Sequence, residues 1–563
     1  MNPTDTVTDP VTTEIIRCAL GAAAEDMNQT LIRSAYTPTI YEMKDCSVAL
    51  LDEHHRVLGQ SLGVPIFLGN LEVVTQHTER EHGRDGWRAG DVWILNDPYI
   101  AGTHLNDVSV YGPVFAGEDL VGFATCRAHL RDLGGMRPGL LTNSTEIYQE
   151  GLRLGAIKLV EGGEPRRDIL DIITRNSRYP DLVHGDLFAM IACVREGQAR
   201  LDAVIERYGL ATFRAARDDV FAQTERMERA AVAAIADGVY EAEGHIDNDG
   251  VGDTPLRVHV RVEVSGENIL IDLSGTDDMT KGPVNCGAPQ AVAAARVAFK
   301  LLVNPDGPLT GGAFRPLSVN VREGSLFAAE EPVPCSYYFT PLGMLIDLVA
   351  KALAHVLPER VAAASYGDSM VVLFGGTNPD TGQRFSFSQP TVGGWGAWHG
   401  TDGQDAMINN VNGAMKDLNA EVIESKFPIR VTKYAIRPDS GGPGQWRGGN
   451  GVEREFVFTG DDGYVNLWWD RSVTPAWGIF GGSSAQPPEV VINQGRADER
   501  RLMKATGHPL QHGDVVLTRS GGGGGYGDPS LRSVDDIKAD IREGQVTEAG
   551  AQDGYGWDEG VGS

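Results

Sequence analysis

Between Thr13 and Tyr36 the apolar positions Ile16, Leu20, Ala24, Met27 and Leu31 recur at intervals of three and four, the spacing that gathers side chains on one face of a helix. This predicts an amphipathic helix that opens the fold. The pattern then shifts to short apolar runs broken by Gly, Asp and Pro: "SVALLD", "VWILND", "VSVYGPVF" and "LVGFATCRAH", which predict strands of one sheet. From about Asp186 to Gly238 the chain is rich in Ala, Arg and Glu, with Leu201, Val204, Ile205 and Tyr208 as an apolar stripe, and a helical hairpin is expected. In "RVHVRVEVSGENILIDLSG" Val258, Val260, Val262 and Val264 alternate with polar neighbours and the chain turns at "SGEN", which predicts an antiparallel hairpin with His259 on its exposed face. Two more helix patterns follow, "APQAVAAARVAFKLLVN" and "PLGMLIDLVAKALAHVL". The last third is punctuated by "GGWGAWHG", "DSGGPGQWRGGNG" and "SGGGGGYGDP", with no fixed-period repeat of a solenoid.

These elements predict a mixed α/β (α+β) chain of several lobes: a sheet-and-helix lobe over residues 1–185, a helical block over 186–238, and a larger, glycine-rich, β-rich lobe over 239–563. A chain of 563 residues exceeds one ordinary core, and its 41% hydrophobic and 22% charged content is that of a globular protein. The formal net charge of -28 repels nucleic acid and anionic membrane surfaces, so neither is expected as a partner. The six cysteines lie far apart with no CxxC pair, no apolar run approaches bilayer length, and the N-terminus lacks a secretory pattern, so a cytoplasmic setting is expected.

The glycine clusters are not nucleotide loops. None is followed by the Lys-Ser/Thr pair of a phosphate cradle, and none opens an apolar-periodic helix, so they are expected to form tight turns at positive φ. There is no Gly-x-Ser-x-Gly elbow for a serine nucleophile, and Cys46 and Cys126 read as small core residues. Histidine offers more. His104 and Asp107 are three residues apart, and His129 lies in "CRAHLRDLGG"; two imidazoles and a carboxylate suit Mn, Zn or Fe with open positions for water or substrate. Spacing alone does not single them out, because His82 and Asp85 have the same separation. Position adds weight: both segments sit at strand ends that converge on one sheet edge, and Asp45 in "YEMKDCSVALLD" precedes a strand that reaches the same edge.

Nine segments in order carry a family resemblance: "DPVTTEII", "EMKDCSVALLD", "NDPYIAGTHLNDVSVYGPVF", "RAHLRDLGG", "IYQEGLRL", "SGTDDMTKGPVNC", "FRPLSVNVREGSL", "DSGGPGQWRGGNGVEREF" and "GGGGYGDP". Together they resemble the hydantoinase B/oxoprolinase family over essentially the whole chain. The resemblance implies a subunit of an ATP-dependent hydrolase of cyclic amides (hydantoin, lactam or 5-oxoproline type), or alternatively of an ATP-dependent ketone carboxylase of the acetone or acetophenone type. It implies an A-type partner subunit that binds ATP and Mg, in a heterodimer of heterodimers, which accounts for the missing phosphate loop. It maps a divalent-metal site onto His104, Asp107 and His129, with Asp45 as ligand or general base, and Asp132 or Glu150 as a carboxylate that orients an imidazole. Phosphorylating the ring carbonyl oxygen makes an unreactive amide electrophilic, and a metal lowers the pKa of water enough for attack near neutrality. Two positions depart from the family pattern: Leu130 and Phe67 stand where many relatives carry histidine, leaving either a leaner ligand set or a more apolar pocket.

Overall fold

The computed structural model describes residues 9–558. Its first helix, α1 (Pro10–Ser34), begins at Asp9, whose carboxylate accepts from the amides of Val11 and Thr12, with Pro10 in the first turn. Ile16, Leu20, Ala24, Met27 and Leu31 are all buried, as their spacing predicts.

The four predicted strands fall in one antiparallel sheet of seven. Its members are β1 (Cys46–Asp52), β2 (Val57–Gln60), β3 (Val92–Leu95), β4 (Asp107–Ala116), β5 (Asp119–His129), β6 (Ile157–Glu161) and β7 (Glu164–Pro165), in the order β2-β1-β5-β4-β3-β6-β7. Side chains alternate between its faces. One face, with Val48, Leu50, Val108, Val110, Ala124 and Cys126, shares a core with α1, α2 (Pro180–Tyr208) and α3 (Leu210–Ala233). The helical hairpin expected over 186–238 is therefore a layer on the first sheet rather than a block standing between lobes. The opposite face carries Asp107, Ser109, Arg127 and His129 and turns toward the rest of the chain.

The predicted Val-rich hairpin is present as β9 (Leu256–Ser265) and β10 (Asn268–Asp272). They lie between β8 (Gly238–Ile246) and β11 (Leu317–Asn320) in the order β11-β10-β9-β8. His259 differs from expectation: 16% of its side chain is exposed, because its ring packs against Gly275, where a Cβ would stand 2.4 Å from Nδ1. Helices α4 (Ala288–Val303) and α5 (Phe339–Leu353) are buried beside this sheet, at the two places the apolar pattern predicts. Two more sheets complete the mixed α/β architecture. One joins Arg384–Gln389, Val371–Thr377, Asp461–Trp468 and Lys504–Leu510; the other holds five strands between Ile429 and Arg519. Among the described residues no helix is long and apolar enough to cross a membrane.

The glycine clusters correct one expectation. Of the glycines in "GGWGAWHG", "DSGGPGQWRGGNG" and "SGGGGGYGDP", only Gly400 and Gly527 have positive φ. The others sit where extended segments run against one another: Gly523 donates to the Gly449 carbonyl (2.9 Å), Gly449 to Trp395 (2.8 Å), and Gly442 to Gly523 (2.9 Å). A Cβ on Gly448 would lie 1.8 Å from the Gly523 oxygen, and one on Gly523 2.0 Å from the Trp395 oxygen. These glycines are demanded by close backbone approach, as at the axis of a collagen triple helix, and not by turn conformation.

Candidate metal centre

The stretch from Asn96 to Asp107 builds a rigid approach to β4. Asn96 holds the backbone of Leu105 and Leu152 through its amide nitrogen (2.7 and 3.0 Å) and accepts from Leu154 (2.6 Å). Asp97 caps the short helix Pro98–Ala101, which Gly102 ends at a left-handed φ of 88°. The chain then presents His104 in a turn closed by the Asp107 amide on the His104 carbonyl (3.1 Å). Asp107 is the first residue of β4 and His129 the last of β5, and the antiparallel register sets them directly opposite. The sheet itself thus brings together two groups 22 residues apart.

Three donor atoms converge here. His104 Nε2 lies 2.8 Å from Asp107 Oδ1 and 3.0 Å from His129 Nδ1, and His129 Nδ1 lies 3.1 Å from the same Asp107 oxygen. Donors held about 2.1 Å from one ion at right angles lie about 3.0 Å apart, so these edges fit three ligands on one face of a coordination shell. The tautomer agrees. His104 Nδ1 is 2.9 Å from the Ser336 carbonyl, which takes that proton and leaves the Nε2 lone pair facing Asp107 and His129. Lone pairs and a carboxylate meeting at one buried point need a cation between them. Without a metal a proton serves: burial disfavours charge on His104, but Asp107 and the Ser336 carbonyl outweigh it and raise its pKa. Burial likewise opposes charge on Asp107, yet the two imidazoles hold it well below the usual carboxylate range.

Asp45 lines the same cavity, and its carbonyl accepts the His129 amide (3.2 Å), but its carboxylate does not join the trio of mutually close donors. Burial raises its pKa to about 6, with His129 opposing and Asp107 reinforcing the rise. Glu150 touches neither imidazole. It accepts from the amides of Cys335 and Ser336 (both 3.1 Å) and from the hydroxyls of Ser336 (2.6 Å) and Ser144 (2.7 Å), and so holds the Ser336 carbonyl that orients His104. Asp132 is committed elsewhere, to the Arg178 guanidinium (2.9 Å), the Arg178 amide (2.5 Å) and Ser177 (3.3 Å). Its expected role at an imidazole has no counterpart in the structure. Cys46 and Cys126 are buried in the core, and burial pushes the Cys46 thiol up, away from nucleophilic use.

Sequence reasoning missed the residues contributed from far along the chain. The Tyr338 hydroxyl donates to Asp107 Oδ2 (2.8 Å), and Phe339 and Gln389 line the cavity. Tyr338 directly precedes α5, but nothing local ties it to a residue 231 positions earlier. The cavity, about 70 Å³, is walled by Met43, Val64, Ile66, Phe67, Leu140 and Val371, so Phe67 contributes apolar surface and no ligand.

The model of the family described as Hydantoinase B/oxoprolinase matches residues 9–529. The chain belongs to this family. Among its relatives is a Pseudomonas sp. (strain NS671) protein, named provisionally as the B-type component of a D-/L-hydantoinase, which is 31% identical over 97% of this chain and 95% of its own. The crystal structure of the ATP-dependent caprolactamase from Pseudomonas jessenii superimposes with a TM-score of 0.90 at 28% identity, covering 99% of this chain and 98% of that one. Acetone carboxylase in its nucleotide-free form has the same fold, with a TM-score of 0.87 at 19% identity over 97% of this chain and 79% of that chain.

Proposed function

We propose that this member of the hydantoinase B/oxoprolinase family is the metal-dependent subunit of an ATP-dependent cyclic-amide hydrolase, working with an A-type subunit that phosphorylates the ring. The observation that carries the reading is the convergence of His104 Nε2, Asp107 Oδ1 and His129 Nδ1 in the lining of a cavity whose surface is mostly apolar. A relative named as a hydantoinase component and a solved neighbour titled an ATP-dependent caprolactamase support it.

His104, Asp107 and His129 would hold a divalent ion of the Mn, Zn or Fe class, with Asp45 beside them. Bound there, the ion would supply Lewis acidity, which makes water nucleophilic near neutral pH. The chain's own residues do the rest. Ser336 and Glu150 fix the His104 tautomer, and Tyr338 pins the far oxygen of Asp107 so that the near one faces the imidazoles. Asp45, which lines the cavity, would take the proton shed by the attacking water. Attack of water at the carbon of the O-phosphorylated ring would give an adduct whose C–N bond breaks as the nitrogen takes up a proton, and the acyl phosphate left behind would be hydrolysed by a second water to the carboxylate and phosphate.

Co-expression with an A-type subunit, followed by assay of ring opening and ATP hydrolysis over a panel of cyclic amides, tests this. The expected result is ATP-dependent opening of a ring amide without any need for bicarbonate, together with stoichiometric metal by elemental analysis. Product formation that requires bicarbonate and a ketone would reject hydrolysis in favour of carboxylation.

A further inference from the structure

We propose that Gln389 is the specificity residue of this cavity, and that its carboxamide recognises a neutral ring through both edges of a cis-amide. The inference rests on the cyclic-amide reading above and names what reads the ring.

Gln389 is the last residue of the strand Arg384–Gln389, is 1% exposed and lines the metal cavity. Its Oε1 and Nε2 are both buried, and neither has a hydrogen-bond partner in the protein. Among the described residues no other buried carboxamide side chain leaves both polar atoms unpaired. Buried polar groups are nearly always satisfied, and leaving one unmet is costly, so a doubly unpaired amide facing a cavity calls for a ligand. Several other polar groups of the cavity are already engaged. Ser369 donates to Asn412 (2.7 Å) and accepts from Asn409 (3.1 Å), and His104, Asp107 and His129 engage one another.

A carboxamide presents a donor and an acceptor side by side. A cis secondary amide, in which N–H and C=O lie on the same edge, is its complement, and ring closure enforces that geometry where an open-chain peptide bond is almost always trans. Pairing Gln389 Nε2–H with the ring C=O, and its Oε1 with the ring N–H, satisfies all four groups. With no protein partner to fix it, the carboxamide can also flip and read the ring in either sense. Size and charge narrow the class further. The cavity, about 70 Å³ against about 150 Å³ for one that takes benzene, favours a small ring over a bulky one. Neither Arg nor Lys lines it, whereas Asp45 and Asp107 do, so a ring bearing its own carboxylate is disfavoured against a neutral one.

The test is a set of binding titrations on the full chain with 2-piperidone, ε-caprolactam, hydantoin, their N-methyl derivatives and 5-oxoproline, for the wild type and for Gln389→Leu and Gln389→Glu. The wild type is expected to bind at least one parent ring about 10- to 100-fold more tightly than its N-methyl form, and to bind 5-oxoproline least well. Gln389→Leu is expected to erase the parent-over-methyl preference while keeping or raising Tm, because it removes unpaired buried polar atoms. Gln389→Glu, which accepts but does not donate when ionised, should bind neutral rings as weakly as the Leu variant. Absence of any parent-over-methyl preference in the wild type, or its survival in Gln389→Leu, overturns the proposal. Ring opening with ATP and the A-type subunit is scored separately. Gln389-dependent binding without turnover would sink the hydrolase reading alone, and unchanged turnover kinetics in Gln389→Leu would sink this one alone.

Discussion

At the edge of the first sheet His104, Asp107 and His129 turn three acceptor atoms onto one point; beside α5 a second group, Asp347, Asp368, Asp470, Arg471 and Lys504, is as deeply buried, yet each carboxylate oxygen there meets a donor. Asp368 accepts from Thr340 (2.7 Å) and from the amides of Met370 and Asp470 (both 3.2 Å). Asp470 accepts from Lys504 (2.7 Å) and the Arg471 amide (2.9 Å), and Asp347 pairs with Arg471 and Ser365. The second group ties the start of α5 to the ends of distant strands. Buried charge by itself therefore does not mark a reaction site. What marks one is an imbalance, either acceptors converging without donors or a carboxamide without partners, opening on a cavity.

The comparison breaks most sharply at His104. His104→Ala is expected to abolish stoichiometric metal and ATP-dependent turnover while the chain stays folded, since it removes a converging acceptor rather than a balanced partner. Full turnover in the reconstituted pair would reduce the cluster to a structural one.

Arg471→Ala should do the reverse. It leaves the Asp347 carboxylate buried and unpaired, at a cost of about 3–5 kcal/mol read as a loss of Tm, with metal content per folded molecule unchanged. Metal loss in step with Arg471→Ala would show that the two clusters are coupled.

Acidity separates them further. Burial raises Asp347 to about 6 in spite of Arg471, against 3.8 for the free group. The folded chain therefore holds this proton more tightly than the unfolded one. Below about pH 4 the group is protonated in both states and contributes nothing; as pH rises toward 6 the unfolded chain releases its proton first, and stability falls by about 3 kcal/mol. Asp347→Asn is expected to remove that share of the slope, measured by denaturant titrations between pH 4 and 7. An identical slope in the variant would mean that Asp347 does not titrate there.

The smallest effect is expected at Glu150. Glu150→Gln keeps the shape but weakens the hold on the Ser336 carbonyl, and metal affinity should fall by about 10- to 100-fold with little change in Tm. An unchanged affinity would show that Ser336 is positioned without it.

Local signals carried much of the fold. The periods of α1, α4 and α5, the alternation of β9 and the runs of β1, β3, β4 and β5 each state their element, because a core-facing side chain must recur at the period of its own backbone. His104, Asp107 and His129 were legible for a related reason: two strand ends in antiparallel register place their terminal residues opposite one another. The residues that complete the site were not, since Ser336, Tyr338 and Gln389 reach it from segments more than 200 residues further along the chain and carry no local mark of their neighbours. The glycines misled for the opposite reason. A positive φ is the use of glycine that a short segment suggests, whereas Gly448 is required by the backbone of Gly523, 75 positions on in sequence, and Gly523 by the backbone of Trp395.

The sequence by itself thus determined the mixed α/β class and the helix and strand periods, which depend on residue type and near spacing, and, through motifs spread along the chain, the family resemblance that pointed to three candidate ligands. Tertiary structure alone decided that the helical hairpin covers the first sheet, that Asp132 serves Arg178 while Glu150 steadies Ser336, and that Gln389 faces the cavity unpaired. The physical reason is range. Periodicity and capping act within a few residues, but convergence of charge, backbone contact and the pairing of buried polar atoms are settled only when segments hundreds of residues apart are packed together.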